Sequence, residues 1–156
     1  MIEHTFQLNG FTIRVYGILI DDIKGILISD EFENGKYFTK FPGGGLELGE
    51  GIKDCLIREW KEELQQSIEV LDHFYTTDFF QRSSLHTNKQ VISVYYFVKV
   101  FEKLKVKISD HAFDFHAGVT GSQSFRWISF KELSDDAFTF EIDKVVARKL
   151  IGVFKN

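Results

Sequence analysis

The sequence predicts an α/β fold in which a mixed β-sheet lies between two helices, an α/β/α sandwich. Two segments, Ile52–Leu64 and Glu141–Phe154, carry apolar residues at the three- and four-residue spacing of an amphipathic helix. The segments around them are rich in β-branched and aromatic residues, which favour strands. Helices on both faces of one sheet would bury all of these apolar surfaces. With 156 residues and 44% hydrophobic content, the chain has room for one domain, which we expect to span residues 1–156.

The segment before the first helix predicts three strands. Phe11–Ile20 and Gly25–Ser29 are aliphatic and are separated by a short polar turn, so they predict a hairpin. Asn34-Gly35 is a second strong turn signal, because both residues tolerate the positive φ angles that tight hairpin turns require. We expect Tyr37–Phe41 to form a short strand that ends at Pro42, the only proline, and leads into a glycine loop.

The segment after the first helix predicts three more strands and the second helix. Ile68–Phe80 and Val91–Phe101 alternate apolar residues as strands do, and Phe125–Phe130 is a shorter segment of the same kind. The stretch Glu102–Ser124 has no clear periodicity and predicts a long irregular connection, a type of loop that often carries function. The chain then ends with the helix Glu141–Phe154.

The first helix carries its acidic residues on one face. Glu59, Glu62 and Glu63 stand three and four positions apart, and the opposite stripe is apolar, formed by Ile52, Cys55, Leu56, Trp60 and Leu64. Carboxylates at this spacing repel one another by a few tenths of a kcal/mol per pair, so we expect a cation to neutralise them. Mg²⁺ prefers oxygen ligands and leaves coordination positions to water and phosphate, and the carbonyl of Gly43 in the preceding glycine loop would add a further oxygen.

The stretch from Gly44 to Gln66 resembles the Nudix box, G-x5-E-x7-R-E-U-x-E-E-x-G-U, in which U is a bulky aliphatic residue. The fixed positions are matched by Gly44, Glu50, Arg58, Glu59, Glu62 and Glu63. Trp60 replaces the first aliphatic residue, and Gln65 and Gln66 replace the glycine and the aliphatic residue at the end of the box. Because a non-glycine residue is strained in the left-handed conformation, we expect the helix to continue to Ser67 or Ile68.

The resemblance implies a Nudix α/β/α sandwich and a Mg²⁺-dependent hydrolase, with Mn²⁺ as an alternative metal. Such an enzyme cleaves the diphosphate linkage of a nucleoside diphosphate joined to another group. It implies Glu59, Glu62, Glu63 and the Gly43 carbonyl as metal ligands, with Glu59 as ligand or base. By the same resemblance Arg58 orients the acidic residues and Glu50 supports the loop.

The candidates for substrate contact lie in two polar loops. The loop Gln81–Gln90 carries Arg82, His86 and Lys89, which are candidates for contact with substrate phosphates, although many such loops only connect strands. Asp114 in the irregular connection is a fourth candidate. Many Nudix relatives have a further acidic residue shortly before a position like Trp127, but this chain has Ser122-Gln123-Ser124 there. Asp110 or Asp114 could take the place of that acid.

Composition argues against several classes of partner and compartment. The net charge of −4 and the absence of a basic run argue against binding to duplex nucleic acid, and no apolar segment is long enough to span a membrane. Cys55 is the only cysteine, so no intrachain disulfide can form, and we expect a cytoplasmic location. Cys55 lies on the apolar stripe and is expected to be a core residue. A homodimer remains an open option.

Two alternative functions share the predicted fold. A diphosphate isomerase would need a cysteine that faces the site, whereas Cys55 belongs to the buried stripe of the helix. A module that binds nucleotides without turnover is the second alternative, because the downstream acidic residue is missing from its expected position. The intact set of acidic residues in the box favours catalysis.

Overall fold

The computed structural model of the chain describes residues 7–155. The strands and helices in chain order are β1 (Phe11–Asp21), β2 (Gly25–Glu33), β3 (Lys36–Lys40), β4 (Gly43–Gly45), α1 (Ile52–Leu64), β5 (Ile68–Thr76), β6 (Gln90–Val100), β7 (Ser122–Ile128), a short 3-10 helix (Asp135–Ala137) and α2 (Glu141–Phe154). No helix within these residues is long and apolar enough to cross a membrane.

The sheet is mixed, as the sequence predicts. β1 pairs with β6 in parallel along Phe11–Leu19, and every other pair of strands is antiparallel. At its other edge β1 pairs with β4 in its first half and with β2 only at its end. This split separates β4 from β2 and leaves a gap in the sheet near Gly17, which packs against Trp60 of α1.

The two helices cover opposite faces of the sheet, so the predicted sandwich is confirmed. Successive residues of β1 alternate between the faces, with Val15 and Leu19 toward α1 and Tyr16 and Ile18 toward α2. The core beneath α1 contains Cys55, Leu56, Trp60 and Leu64, and the core beneath α2 contains Ile142, Val146, Ala147 and Leu150. Ile52, predicted to belong to the buried stripe of α1, is instead 37% exposed because it begins the helix beyond the edge of the sheet.

Several element boundaries differ from the prediction because strand pairing sets them. The predicted glycine loop contains β4, whose three glycines pair with Arg14–Tyr16 of β1. β7 begins at Ser122, three residues earlier than predicted, since β2 continues to Glu33 and offers a partner over this length. β5 ends at Thr76, where the backbone N–H and the hydroxyl of Thr77 both donate to the Ser93 carbonyl.

The end of α1 corrects the prediction that the helix continues to Ser67 or Ile68. α1 ends at Leu64, and Gln65 adopts the left-handed conformation with φ 54° and ψ 31°. The next residue explains this turn, because Gln66 is buried and its side-chain amide donates to the Glu102 carbonyl and accepts from the Lys105 N–H. These contacts with the chain after β6 force the turn that a glycine would otherwise make at lower cost.

We therefore expect Gln65→Gly to stabilise the protein or to leave its stability unchanged. The substitution removes the strain of a left-handed glutamine, about 1 kcal/mol, and adds a partly offsetting entropy to the unfolded chain. The Gln65 side chain is exposed, so little packing is lost. Urea unfolding measures the change, and a loss of more than about 1 kcal/mol would contradict this account of the helix end.

The second departure from the box, Trp60, is accommodated by a glycine on β1. Trp60 is fully buried, and a Cβ atom at Gly17 would lie 2.7 Å from its indole Nε1. The indole therefore occupies the volume that any other residue at position 17 would fill. Nε1 has no hydrogen-bond partner among the described residues, so the indole contributes to stability through packing alone.

Gly17→Ala is expected to lower the free energy of unfolding by about 1 to 3 kcal/mol, because the added methyl group overpacks against the indole. In a Trp60→Leu background, which restores an aliphatic residue, the same substitution should cost much less. A double-mutant cycle by urea unfolding measures this coupling. Gly152→Ala, in α2 where an added Cβ meets nothing within 4 Å, is the matched control. Equal costs of Gly17→Ala in both backgrounds would refute the pairing.

Candidate active site

The box residues surround the junction between β4 and α1. Gly44 lies in β4 against the side chain of Glu59, and a Cβ atom at this position would lie 2.3 Å from the Glu59 carboxyl carbon. The glycine therefore allows a carboxylate of α1 to pack directly onto the backbone of β4. Among the three helix acids, Glu59 is 13% exposed and Glu62 is 59% exposed, so the acidic face extends from the sheet out to solvent.

Arg58 connects most of the acidic residues of the box. Its guanidinium donates to both carboxylate oxygens of Glu50, at 2.9 and 2.7 Å. It also donates to Glu59 at 3.0 Å, to Glu62 at 3.2 Å and to the Gly45 carbonyl at 3.0 Å. These bonds lower the pKa of Glu50 to about 2, so this carboxylate stays charged. Arg58 thus ties the loop before α1, the end of β4 and the acidic face into one arrangement.

Glu50 is positioned as a support of the loop. Besides its paired bonds to Arg58, it accepts a hydrogen bond from the backbone N–H of Glu47 at 2.9 Å. Both carboxylate oxygens of Glu50 are therefore occupied within the protein. This geometry agrees with the supporting role that the resemblance implies for Glu50.

Glu63 is the most perturbed acid of the helix. Burial raises the pKa of Glu63 to about 7. The charges of Glu31 and Glu59 add to this effect, and the positive charge of Lys40 partly opposes it. One of its oxygens accepts a hydrogen bond from the Gln123 amide at 3.3 Å. Desolvation is thus the main reason why the charged form of Glu63 is disfavoured.

The carboxylates of α1 are chemically suitable ligands for a divalent metal ion. Carboxylates of Glu59, Glu62 and Glu63 are hard oxygen ligands of the kind that Mg²⁺ prefers. Within residues 7–155, however, no three His, Cys, Asp or Glu side chains converge in metal-binding geometry. Arg58 instead holds Glu59 and Glu62, so the exposed Glu62 would have to turn away from Arg58 to coordinate a metal ion.

Lys40 and Glu31 belong to the site although the sequence analysis did not identify them. The Lys40 ammonium forms an ion pair with Glu31 at 2.8 Å and donates to the Gly43 carbonyl at 3.1 Å. Gly43 is the predicted backbone ligand of the metal. Strand alternation could have indicated that Lys40 is buried, because Lys40 lies on the same side of β3 as the apolar Phe38.

The position of the expected downstream acid is occupied by Gln123 on β7. Its amide donates to Glu63 and to the Ser29 hydroxyl, so the residue does reach the acidic face. Glu31 lies directly opposite Gln123 in the pairing of β2 with β7. A carboxylate is thus present at this place in the sheet, but it comes from β2 and is paired with Lys40.

A cleft opens on the α2 side of the sheet, next to Lys40. Its lining consists of the polar and charged residues Arg14, Lys40, Gln81, Arg82, Ser83, Ser84, Ser93 and Asp143, the aromatic residues Tyr16, Phe38, Tyr95 and Phe140, and the aliphatic residues Leu85, Val91 and Ile142. Arg14 donates to the Tyr16 hydroxyl at 2.6 Å and is attracted by Glu31 and Glu59, so it lies between the cleft and the acidic face. Sequence reasoning missed Arg14, Tyr16 and Asp143, because only the fold brings them together.

The structure places one of the four predicted substrate contacts in the cleft. Arg82 lines the cleft, and its guanidinium donates to the Thr87 carbonyl at 3.0 Å. His86 and Lys89 are not among the lining residues, and the Lys89 N–H bonds to the His86 carbonyl to close the loop. Asp114 pairs with Lys107 at 2.9 Å and with His111 at 3.2 Å. Roles in substrate binding for His86, Lys89 and Asp114 stay predictions.

Cys55 lies in the core beneath α1, as predicted. It is fully buried, and its thiol donates to the Gly45 carbonyl at 3.5 Å. Burial, with the nearby Glu50, raises the pKa of the thiol to about 12. A thiol with this pKa stays protonated at neutral pH, so Cys55 is not an activated nucleophile.

Comparisons with known proteins agree with the fold and the box. The model of the NUDIX domain family matches residues 11–149. Among solved structures, a MutT protein from Methanosarcina mazei Go1 is 18% identical, with 95% of this chain and 97% of that chain covered and a TM-score of 0.66. The DNA mismatch repair protein MutT from methicillin-resistant Staphylococcus aureus 252 is 24% identical, with 94% and 99% covered and a TM-score of 0.63.

An ADP-ribose pyrophosphatase from Streptococcus suis 89-1591 is 18% identical, with 89% of this chain and 86% of that chain covered and a TM-score of 0.54. No curated protein matches the sequence. The fold and the acidic helix thus define a Nudix-type pyrophosphohydrolase. The chain belongs to the NUDIX domain family.

The Asp143 carboxyl in the floor of the cleft predicts a pH-dependent stability. Burial raises its pKa to about 7, against the opposing hydrogen bond from the Tyr95 hydroxyl and the charges of Lys40 and Arg14. Between about pH 4 and pH 7 the Asp143 carboxyl is protonated in the folded state and ionised in the unfolded chain. Its contribution to the free energy of unfolding is therefore complete at low pH and is lost as the pH rises through 7.

Relative to Asp143→Asn, the wild-type free energy of unfolding should fall by roughly 2 to 4 kcal/mol between about pH 4 and pH 8. Urea unfolding of both proteins across this range measures the difference, and the amide variant serves as the reference that cannot titrate. Parallel curves for the two proteins would show that the carboxyl does not titrate in this range.

Proposed function

We propose that this protein is a Mg²⁺-dependent hydrolase that cleaves the diphosphate linkage of a nucleoside diphosphate joined to another moiety, such as a nucleoside triphosphate or a nucleotide sugar. The observation that carries this proposal is the position of the acidic face of α1 beside a cleft that holds three cationic side chains. Arg14, Lys40 and Arg82 line this cleft, and Arg14 is also attracted by Glu59 of the acidic face. A ligand with an apolar body and a diphosphate suits this combination.

The carboxylates of Glu59, Glu62 and Glu63 would hold Mg²⁺ or Mn²⁺, with the Gly43 carbonyl at the edge of the site. A carbonyl oxygen has two acceptor positions, and Lys40 uses one of them. Such a metal ion, when bound, neutralises diphosphate charge and lowers the pKa of a coordinated water. Arg58 orients the acids through its bonds to Glu50 and Glu59.

The residues of the cleft would bind the rest of the substrate. Phe38 and Phe140 line the cleft with their ring centroids 5.3 Å apart, and these rings would contact a base or a sugar. Arg14 and Arg82 would contact the phosphates, because a guanidinium can bind two phosphate oxygens at once. We place the reaction in the cytoplasm, consistent with a single cysteine that is buried and reduced.

Binding without turnover is the alternative that a specific observation favours. Gln123 occupies the place of the expected downstream acid, and an amide cannot accept a proton from an attacking water. One measurement distinguishes the two functions, since only the enzyme converts a nucleotide into hydrolysis products. The isomerase reading lacks such support, because Cys55 is buried and protonated.

The experiment that tests the proposal is a panel of nucleoside triphosphates, dinucleotides and nucleotide sugars, incubated with Mg²⁺ and analysed by chromatography for hydrolysis products. These products are pyrophosphate and a nucleoside monophosphate from a triphosphate, and two phosphomonoesters from a dinucleotide or a nucleotide sugar. The panel includes ADP-ribose, because the similar solved structures include both MutT proteins and an ADP-ribose pyrophosphatase. Tight binding of a nucleotide without hydrolysis of any compound in the panel would favour the binding module.

Glu62→Gln is expected to lower kcat/KM for the best substrate by about 100-fold or more, which corresponds to about 2.7 kcal/mol of transition-state stabilisation. Its side chain is 59% exposed, so thermal stability should change little. Glu69→Gln, an exposed acid on β5, is the matched control and should keep full activity. Equal losses in both variants, or a parallel loss of stability, would contradict the assigned role of Glu62.

A further inference from the structure

The Lys40 ammonium is surrounded by oxygen atoms. It lies 2.8 Å from a carboxylate oxygen of Glu31, 3.1 Å from the Gly43 carbonyl and 3.4 Å from the Phe41 carbonyl. The ring of Tyr16 also lies beside the ammonium, with its centroid 5.3 Å away. The side chain is 3% exposed, so water does not compete for these contacts.

Burial of a lysine is unfavourable in free energy, because the charged ammonium loses its hydration. Glu31 pairs with the ammonium at 2.8 Å, and the charge of Glu63 also attracts it. The ammonium therefore lies between an acid of β2 and an acid of α1. Without it, no ion pair among the described residues would compensate the charge of Glu31 beside Glu63.

The oxygen atoms around Lys40 are of the type that coordinates a divalent cation. One carboxylate and two backbone carbonyls are ligands that Mg²⁺ and Mn²⁺ accept, and Glu63 supplies a second carboxylate nearby. The distances of 2.8 to 3.4 Å are those of hydrogen bonds and suit an ammonium. Gly43 is common to this group and to the metal site proposed on α1, so the two cation positions are adjacent.

We propose that the Lys40 ammonium takes the place of one divalent metal ion, so that the site binds a single metal ion beside a built-in positive charge. This inference rests on the proposed function, in which the acidic face of α1 binds a metal. The lysine stabilises the Glu31–Glu63 region without drawing on free metal. It also excludes a second ion, because a divalent cation at the same oxygens would overlap the ammonium.

The test counts bound Mn²⁺ ions by electron paramagnetic resonance and calorimetric titration, without nucleotide. Wild-type protein should bind one ion per chain. Lys40→Met keeps the length of the side chain and removes its charge, and this variant should bind two. Lys40→Arg, which keeps the charge, is the matched control and should bind one. Adding Glu31→Gln to Lys40→Met removes a ligand of the second position and should return the count to one.

The outcomes separate this inference from the proposed function. A wild-type protein that binds no Mn²⁺ would overturn the proposed function and the inference together. A wild-type count of two or more, or a folded Lys40→Met variant that still binds one ion with unchanged affinity, would overturn the inference alone. Circular dichroism establishes whether each variant is folded. If Lys40→Met does not fold, the wild-type count decides, with one ion in support and two or more against.

Discussion

The arrangement of the site depends on the paired hydrogen bonds between Arg58 and Glu50. They join the helix α1 to the loop before it, and the remaining donors of the guanidinium reach Glu59, Glu62 and the Gly45 carbonyl. A planar guanidinium with donors in fixed directions can hold several acceptors, which the single ammonium of a lysine would do less rigidly. Because the acids repel one another, this cation stabilises them on one face of the helix.

The charges on the two sides of the sheet are connected through β1, β3 and β4. Arg14 and Lys40 line the cleft on the α2 side, yet both are also attracted by acids on the α1 side, Glu31 with Glu59 for Arg14 and Glu31 with Glu63 for Lys40. The gap in the sheet between β4 and β2 makes this contact possible, because side chains at its border reach both faces. In the proposed function, a substrate that enters the cleft would meet cationic groups first and the acidic face beyond them.

Each departure from the family pattern is matched by a residue elsewhere in the chain. Trp60 fits because Gly17 leaves room for its indole, and Gln65 makes the left-handed turn because Gln66 is bound by the backbone around Glu102 and Lys105. Gln123 stands where an acid is common, and Glu31 faces it across the pairing of β2 and β7. These partners are distant in sequence, so the pattern of the box alone gives no indication of them. The departures are therefore adjustments within an intact fold.

Local signals determined much of this protein before any tertiary contact was considered. The period of apolar residues in α1 and α2, the turn at Asn34-Gly35 and the spacing from Gly44 to Glu63 predicted the sandwich and the acidic helix, because each depends on residues within one or two turns of one another. Tertiary contacts decided the rest. Lys40, Arg14 and Asp143 come from three different elements, and nothing in their neighbours shows that they share a cleft. The end of α1 was decided in the same way, because the local cost of a left-handed Gln65 is about 1 kcal/mol and the burial and hydrogen bonds of Gln66 outweigh it.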